Sequence, residues 1–518
     1  MFGVFFEFGN EVWHGTHGNY AERGAPSPAE YAARFASCQK LFREVNPDIQ
    51  LGAVLRELEL RDGWNYDIVT LLKEKMDFGA IHIYPITYAE NDGSIAPNEL
   101  FSIALASPLQ VQHGLKSLGR QLKDLTGKSV PLMITEYNGG FKQERPVPYR
   151  HCLGNALLNA ELLKTFLTAE TPIMGANYWQ LVNSAWGALY NPFYMKNQGD
   201  YIKRPNFFIF ELFRQHFEKN LVQISVSCPA YLSGSLGKVF ATRKIDEKIS
   251  SSDVLKRYSI TPDDWKTSYF RQIAAFRSAV AVNRTKDILT LSFPFKENIN
   301  FYHIKKRIPI NPDRKYLLTG KIKTEWPTLS SGIFLNILDE RGWKKTLWAK
   351  STQQITGATD WCDVQVEFQP LTDAKAIDII IRRMDGGGPA HGKAWIRDVV
   401  LQDIGPATVF PPTPYLSAVA SIDDAAKNLS LIVINKNLEK TMTARIRIKN
   451  FSFKDTGNSW VVNGPSVDST NGDGKEHVKI TDGIFEIKNN RDYFDFTFEP
   501  HSVTALEVAG TLYSRRRQ

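Results

Sequence analysis

Cysteine is scarce, with four residues (Cys38, Cys152, Cys228 and Cys362) spread over 518 and no CxxC pair among them. That spacing excludes a cysteine zinc site and a dense disulfide framework, and buried thiols are expected instead. No run of about 18 apolar residues is present, so no helix is expected to span a bilayer and no membrane partner is implied. Low-complexity tracts and internal repeats are also missing, which sets aside disordered and solenoid classes. The opening residues, Met1-Phe2-Gly3-Val4-Phe5-Phe6, have neither the basic start nor the cleavage site of a secretory leader. Acidic residues are outnumbered, 55 against 63 basic ones, for a formal net charge of +8. The basic residues are scattered, however, with one dense cluster at Arg515-Arg516-Arg517. Without a groove-reading helix or a single-strand-binding motif, the excess does not point to nucleic acid.

What is present describes an ordered globular chain, 43% hydrophobic and 12% aromatic. Domains rarely exceed about 250 residues, so two to four are expected. From residue 1 to about 217, short apolar runs alternate with amphipathic helical stretches, the pattern of βα units on a parallel sheet. Strands are predicted at Val4 to Phe8, Gln50 to Leu55, Phe78 to Tyr84, Pro131 to Glu136 and Ile173 to Trp179. Helices are predicted at Ala29 to Glu44, Tyr66 to Lys75, Leu109 to Leu125, Cys152 to Ala169 and Pro205 to Phe217. Ser27 serves as a cap to the first helix, with Pro28 at its first position. Beyond Gln223 the texture changes to short alternating strands with Gly, Pro and Asn turns. The fold class read from this is α/β plus all-β. The βα region covers 1–222, one β block covers 238–405, and a C-terminal β-sandwich covers 412–510, to which 223–237 could add a strand.

Two glutamates stand at predicted strand ends. Glu11 follows the first strand in Phe8-Gly9-Asn10-Glu11-Val12-Trp13, and Glu136 ends another in Leu132-Met133-Ile134-Thr135-Glu136-Tyr137-Asn138. Residues at the C-terminal ends of barrel strands face one mouth, which brings both carboxyls together across a long stretch of chain. Paired carboxyls at a mouth suit glycosidic hydrolysis, one delivering a proton to the leaving oxygen and the other attacking the anomeric carbon. A single glutamate at a strand end is more often a solvated or ion-paired residue, but other site-like residues accompany these two. His82 and Tyr84, two apart, end the third strand on one face. Trp179 and Gln180 end the fifth. Trp13, Trp179 and Trp186 can pack or stack on sugar rings. Glu7, Glu57 and Glu59 are competing carboxylates, and Glu7, lying deeper, is assigned a structural role.

These residues resemble glycoside hydrolase family 51, the α-L-arabinofuranosidases. The resemblance is carried by Gly9-Asn10-Glu11 with Trp13, His82 and Tyr84, Ile134-Thr135-Glu136-Tyr137-Asn138, Gln180-Leu181-Val182-Asn183 and Phe210-Glu211-Leu212-Phe213. Asn463-Gly464-Pro465-Ser466 with Asn471, and Pro500-His501-Ser502-Val503-Thr504, are similar to the family's C-terminal sandwich. The resemblance implies a partial (β/α)8 TIM barrel, strands four to eight, followed by β-sandwich and jelly-roll domains. It implies Glu11 as general acid/base and Glu136 as nucleophile. It also implies that Asn10 and Gln180 contact the sugar, joined by Trp13, His82 and Trp179, with Tyr84 positioning the nucleophile. Arabinoxylan or arabinan is the implied substrate, and two-carboxylate hydrolysis implies no cofactor and no metal. The Glu136 segment departs from the family's commoner acidic-Glu-Trp form, so β-xylosidase or endoglucanase specificity stays open. The block at 238–405 resembles an inserted carbohydrate-binding jelly roll, with Trp326, Trp343 and Trp348 as candidate contacts. By the same resemblance the first three βα units are missing and Met1 is expected to be internal to a longer, secreted or periplasmic parent. The alternative for the chain by itself is an inactive carbohydrate-binding protein.

Overall fold

The computed structural model describes residues 4–14, 26–56, 58, 64–86, 95–141, 145–191, 200–244, 256–267, 280–326, 331–346, 348–384, 389–472, 474–487 and 493–512. Glu57, Glu59 and the arginine cluster at 515–517 lie outside them.

Five strands, β1 (Phe5–Glu7), β2 (Gln50–Leu55), β3 (Phe78–Ile83), β4 (Leu132–Tyr137) and β5 (Ile173–Tyr178), form one sheet in chain order. Every neighbouring pair is parallel. Helices α1 (Pro28–Val45), α2 (Trp64–Leu72), α3 (Pro97–Thr126), α4 (Leu153–Leu167) and α5 (Pro205–His216) alternate with them. The inner strands are nearly continuous apolar runs because both their faces are covered, as at Leu51 to Leu55, all buried. At the two edges apolar side chains stay exposed: Val4, Phe5 and Phe6 beside β1, and Met174 on β5.

Local chemistry accounts for the helix limits. Ser27 Oγ accepts from the Glu30 amide at 3.2 Å while Pro28 occupies the first turn, where its missing N–H costs nothing. Helix α3 corrects the sequence expectation, since it begins at Pro97 and runs through Pro108 instead of starting after it. Proline cannot donate to the carbonyl four residues back. Ser107 Oγ donates to that Ala104 carbonyl at 2.6 Å, so the helix continues.

The rest of the chain is antiparallel. A six-stranded sheet is built from 479–486, 451–463, 502–512, 428–435, 416–422 and 220–222 in that order. Its last strand, Asn220–Val222, was grouped with the βα region on sequence but pairs with Leu416–Ile422. One face of this sheet packs Val419, Ile432, Ile434 and Val503 into the same core as α4 and α5. A charged cluster locks this contact: buried Glu161 on α4 meets Lys436 at 2.9 Å and Lys164 at 3.1 Å, and accepts from Ser417.

Between these parts, two facing sheets from residues 257–406 enclose a separate core. Trp326 and Trp348 belong to that core, 5% and 1% exposed, which removes them as glycan contacts. Trp326 continues the inward alternation of Arg314–Glu325, and of the three only Trp343 is exposed.

Candidate active site

The C-terminal ends of β1, β3, β4 and β5 converge on one cluster. After β1 the chain turns sharply, with Gly9 at φ +94° and Glu11 itself at φ +43°, into the short 3-10 turn Val12–His14. A side chain at Gly9 would sit 2.7 Å from Val12 Cγ1, so the close turn calls for glycine. Holding a glutamate at positive φ costs energy, and such strain gathers where a side chain must be aimed. Val12, 3% exposed, anchors the turn in the core.

His82 is the hub. Its Nδ1 lies 3.0 Å from Glu11 Oε1 and 3.4 Å from Glu136 Oε2, and its Nε2 lies 3.7 Å from Glu7 Oε1. Burial is the strongest influence on the imidazole and lowers its pKa. The hydrogen bond with Glu11, the pull of Glu7 and the charge of Glu136 outweigh it together and raise His82 to about 9. That shift favours an imidazolium at neutral pH, with Nδ1 donating to Glu11, while Nε2 stands 3.7 Å from Glu7 without a hydrogen bond. Burial raises the Glu136 carboxyl, the His82 charge and the Tyr84 hydrogen bond work against that, and the neighbouring Glu11 and Glu7 add to it. Tyr84 Oη donates to Glu136 Oε2 at 2.8 Å. Burial and the adjacent carboxylates keep that phenol neutral well above its ordinary range.

Acceptor and donor atoms of Glu11, His82 and Glu136 all lie within 4.8 Å of one another. Two carboxyls this close favour sharing a proton over carrying two full charges. These three side chains are close enough to hold a cation, which would have to displace the proton on His82.

The remaining residues wall the cluster. Trp13 meets His82 edge to face at 6.4 Å between centroids, and Trp186 meets Tyr84 likewise at 5.8 Å. The turn that carries Trp186 is pinned by Arg204, which donates to the carbonyls of Asn183, Ser184 and Gly187 at 2.9 to 3.2 Å. Arg150 lies 4.3 Å over the Trp186 ring. Trp179, joined to Gln180 by a cis peptide bond, is 37% exposed at the rim, and Asn10 is exposed beside Glu11.

Behind the carboxyls stands a fully buried asparagine network. Asn138, just past β4, donates to the Trp179 carbonyl at 2.7 Å and accepts from Asn155 and Asn159 at 3.1 Å each. Asn159 also donates to Asn206 on α5 at 3.0 Å. These bonds tie the ends of β4 and β5 to two helices, so the Glu136 and Trp179 backbones cannot shift independently. Sequence reasoning missed this network, and it assigned Glu7 a structural role without foreseeing that its carboxyl stands 3.7 Å from His82. Alternation was the available signal for Glu7: it shares strand-face parity with Gly9 and Glu11.

Paired carboxyls at the C-terminal edge of a parallel βα layer, with antiparallel sheets packed beside it, define the site. The family model for the α-L-arabinofuranosidase C-terminal domain matches residues 136–502, more than half of the chain, and the chain belongs to that family. Its fold is similar to that of the α-L-arabinofuranosidase from Thermotoga maritima, solved as an arabinose complex, with TM-score 0.53 at 16% identity. The glycoside hydrolase family 51 α-L-arabinofuranosidase from Thermotoga petrophila RKU-1 matches with TM-score 0.51 at 15% identity. Each match covers 98% of this chain and 66% of the other, so the chain spans just under two thirds of their length. At these identities the likeness concerns the fold. The family 51 resemblance read from the motifs agrees with both comparisons. No curated protein matches the sequence.

Proposed function

We propose that this chain carries the acid/base and nucleophile half of a retaining glycoside hydrolase that removes arabinofuranosyl units from arabinoxylan or arabinan. Its five βα units correspond to strands four to eight of a (β/α)8 barrel, and the parent acts outside the cytoplasm. The observation that carries the reading is the pair Glu11 and Glu136, with side-chain oxygens within 4.8 Å of each other and of His82, at the C-terminal end of one parallel sheet. Retaining enzymes hold their carboxyls about 5 to 5.5 Å apart, whereas inverting ones leave a wider gap for water.

Glu136 is the nucleophile in this reading. Tyr84 donates to its ionised form, which holds one oxygen as an acceptor and leaves the other to attack the anomeric carbon. Glu11 protonates the departing glycosidic oxygen, then takes a proton from water as that water cleaves the glycosyl ester on Glu136. His82 keeps the extra negative charge tolerable through both steps. Asn10 and Gln180 bind sugar hydroxyls, and Trp13 and Trp179 flank the ring.

The test is release of 4-nitrophenol from its α-L-arabinofuranoside, with the β-xyloside as competitor, by this chain alone and lengthened by upstream βα units. Glu136→Ala is expected to lose several orders of magnitude, and added azide to restore turnover as a glycosyl azide of inverted configuration. Retained activity in Glu136→Ala would remove the nucleophile assignment. Turnover of the xyloside alone would remove the arabinose.

A further inference from the structure

Outside the mouth, a concavity lies where the middle sandwich meets the βα layer. Along Arg314–Glu325 and Ala358–Phe368, alternate side chains such as Leu318, Ile322, Val364 and Val366 enter the sandwich core. The intervening ones, Leu317, Thr319, Lys321, Gln365 and Glu367, point the other way. They floor a cleft of about 1190 Å³ whose opposite wall is Tyr66 and Asp67, in the first turn of α2. That turn is moored at the C-terminal end of β2, where Asn65 Oδ1 accepts from the Arg56 amide at 2.6 Å and Trp64 Nε1 donates to the Val54 carbonyl at 3.0 Å. That wall of the cleft therefore stands at the end of the sheet that carries Glu11 and Glu136.

Its chemistry is mixed in sign. Lys321 pairs with Asp363 at 2.8 Å, Arg257 and Lys286 stand among Asp287, Glu367 and Asp398, and Ser259, Gln353 and Gln365 add neutral donors and acceptors. With five carboxylates against three basic side chains, such a lining does not gather a polyanion, which needs a run of basic groups. It suits hydroxyl-rich neutral ligands, whose O–H groups both donate and accept. Aromatic surface stands at the margins: Tyr66 is half exposed, and Trp361, two residues from Asp363 on the same strand face, is held flat by Arg397 at 4.2 Å.

We infer that this cleft is a second glycan-binding site, gripping the neutral backbone of the polysaccharide whose side branch enters the mouth. The inference rests on the proposed glycosidase reading only for the choice of polymer. Binding is measured on the full chain by affinity electrophoresis in gels containing soluble arabinoxylan, linear arabinan or polygalacturonate. The chain and its Glu136→Ala variant are expected to be retarded equally by a neutral polymer and not by the polyanion. Two independent changes, Tyr66→Ala on one wall and Gln365→Ala with Glu367→Ala on the other, are each expected to weaken retardation about tenfold. All are surface positions, and turnover of the aryl arabinofuranoside should be unchanged in them. Cleft variants that bind like the parent, retardation lost in Glu136→Ala alone, a preference for polygalacturonate, or no retardation at all would each overturn the site. None of these outcomes bears on aryl-glycoside hydrolysis, which decides the catalytic reading separately.

Discussion

Replacing Tyr84 by phenylalanine removes one hydroxyl and keeps the ring that meets Trp186 at 5.8 Å. The lost interaction is the 2.8 Å bond to Glu136 Oε2, in a site where that carboxyl is 14% exposed and solvent screens little. A hydrogen bond to an ionised group contributes about 1.5 to 3 kcal/mol. It acts on the carboxylate form, so losing it should raise the Glu136 pKa by the equivalent of that free energy. The sign follows from the donor: removing it destabilises the charged form, and ionisation moves to higher pH. Titration of 13C-labelled glutamate carboxyls by NMR reads this without any turnover. Where turnover is measured, the acidic limb of kcat/KM should move up by the same amount while the basic limb stays in place. A Tyr84→Phe protein whose Glu136 titrates as in the parent would refute the reasoning, since the bond would then favour neither form.

Two further predictions concern stability. His82, raised to about 9 in the folded protein from 6.5, contributes stability that is complete below pH 6.5 and is lost as pH rises through 9. The drop is about 3 kcal/mol, and urea midpoints at pH 6 and pH 10 should show it in the parent and not in His82→Gln. Removing Lys436 leaves buried Glu161 with one lysine and a serine, so Lys436→Ala should cost about 3 kcal/mol in urea unfolding. Recovery of much of that loss is expected in the Glu161→Gln, Lys436→Met double variant, and equal losses in both would show that packing and not charge is at stake.

Much of the site was legible because strand ends have a clear signature. An apolar run that stops at a glutamate, with a second such run further along, places two carboxyls on one rim if the strands are parallel, and β1 and β4 are in the same parallel sheet. The pair His82 and Tyr84 followed from alternation alone. Ser27 and Pro28 announced a helix start for reasons contained in one turn of chain. Failures came where the deciding partner is distant or unexpected. Helix α3 passes Pro108 because a neighbouring serine satisfies the freed carbonyl, an arrangement that breaker rules do not anticipate. Trp326 and Trp348 were candidates because the block resembles modules that grip glycans through exposed aromatics, yet the sandwich core holds both.

The sequence by itself determined the alternation of strand and helix over the first two hundred residues, the change to antiparallel texture beyond, and which carboxyls stand at strand ends. These are properties of short segments, set by side-chain period, caps and turns. Only the tertiary structure decided that Glu7 stands beside His82, that Asn138, Asn155, Asn159 and Asn206 share one buried network, and that Tyr66 lines one cleft with Leu317, Gln365 and Glu367 of the middle sandwich. Each of those depends on which surfaces meet when segments far apart in the chain bury their apolar faces together. Pairing of that kind is a free-energy balance over the whole molecule and leaves no mark within a single stretch of residues.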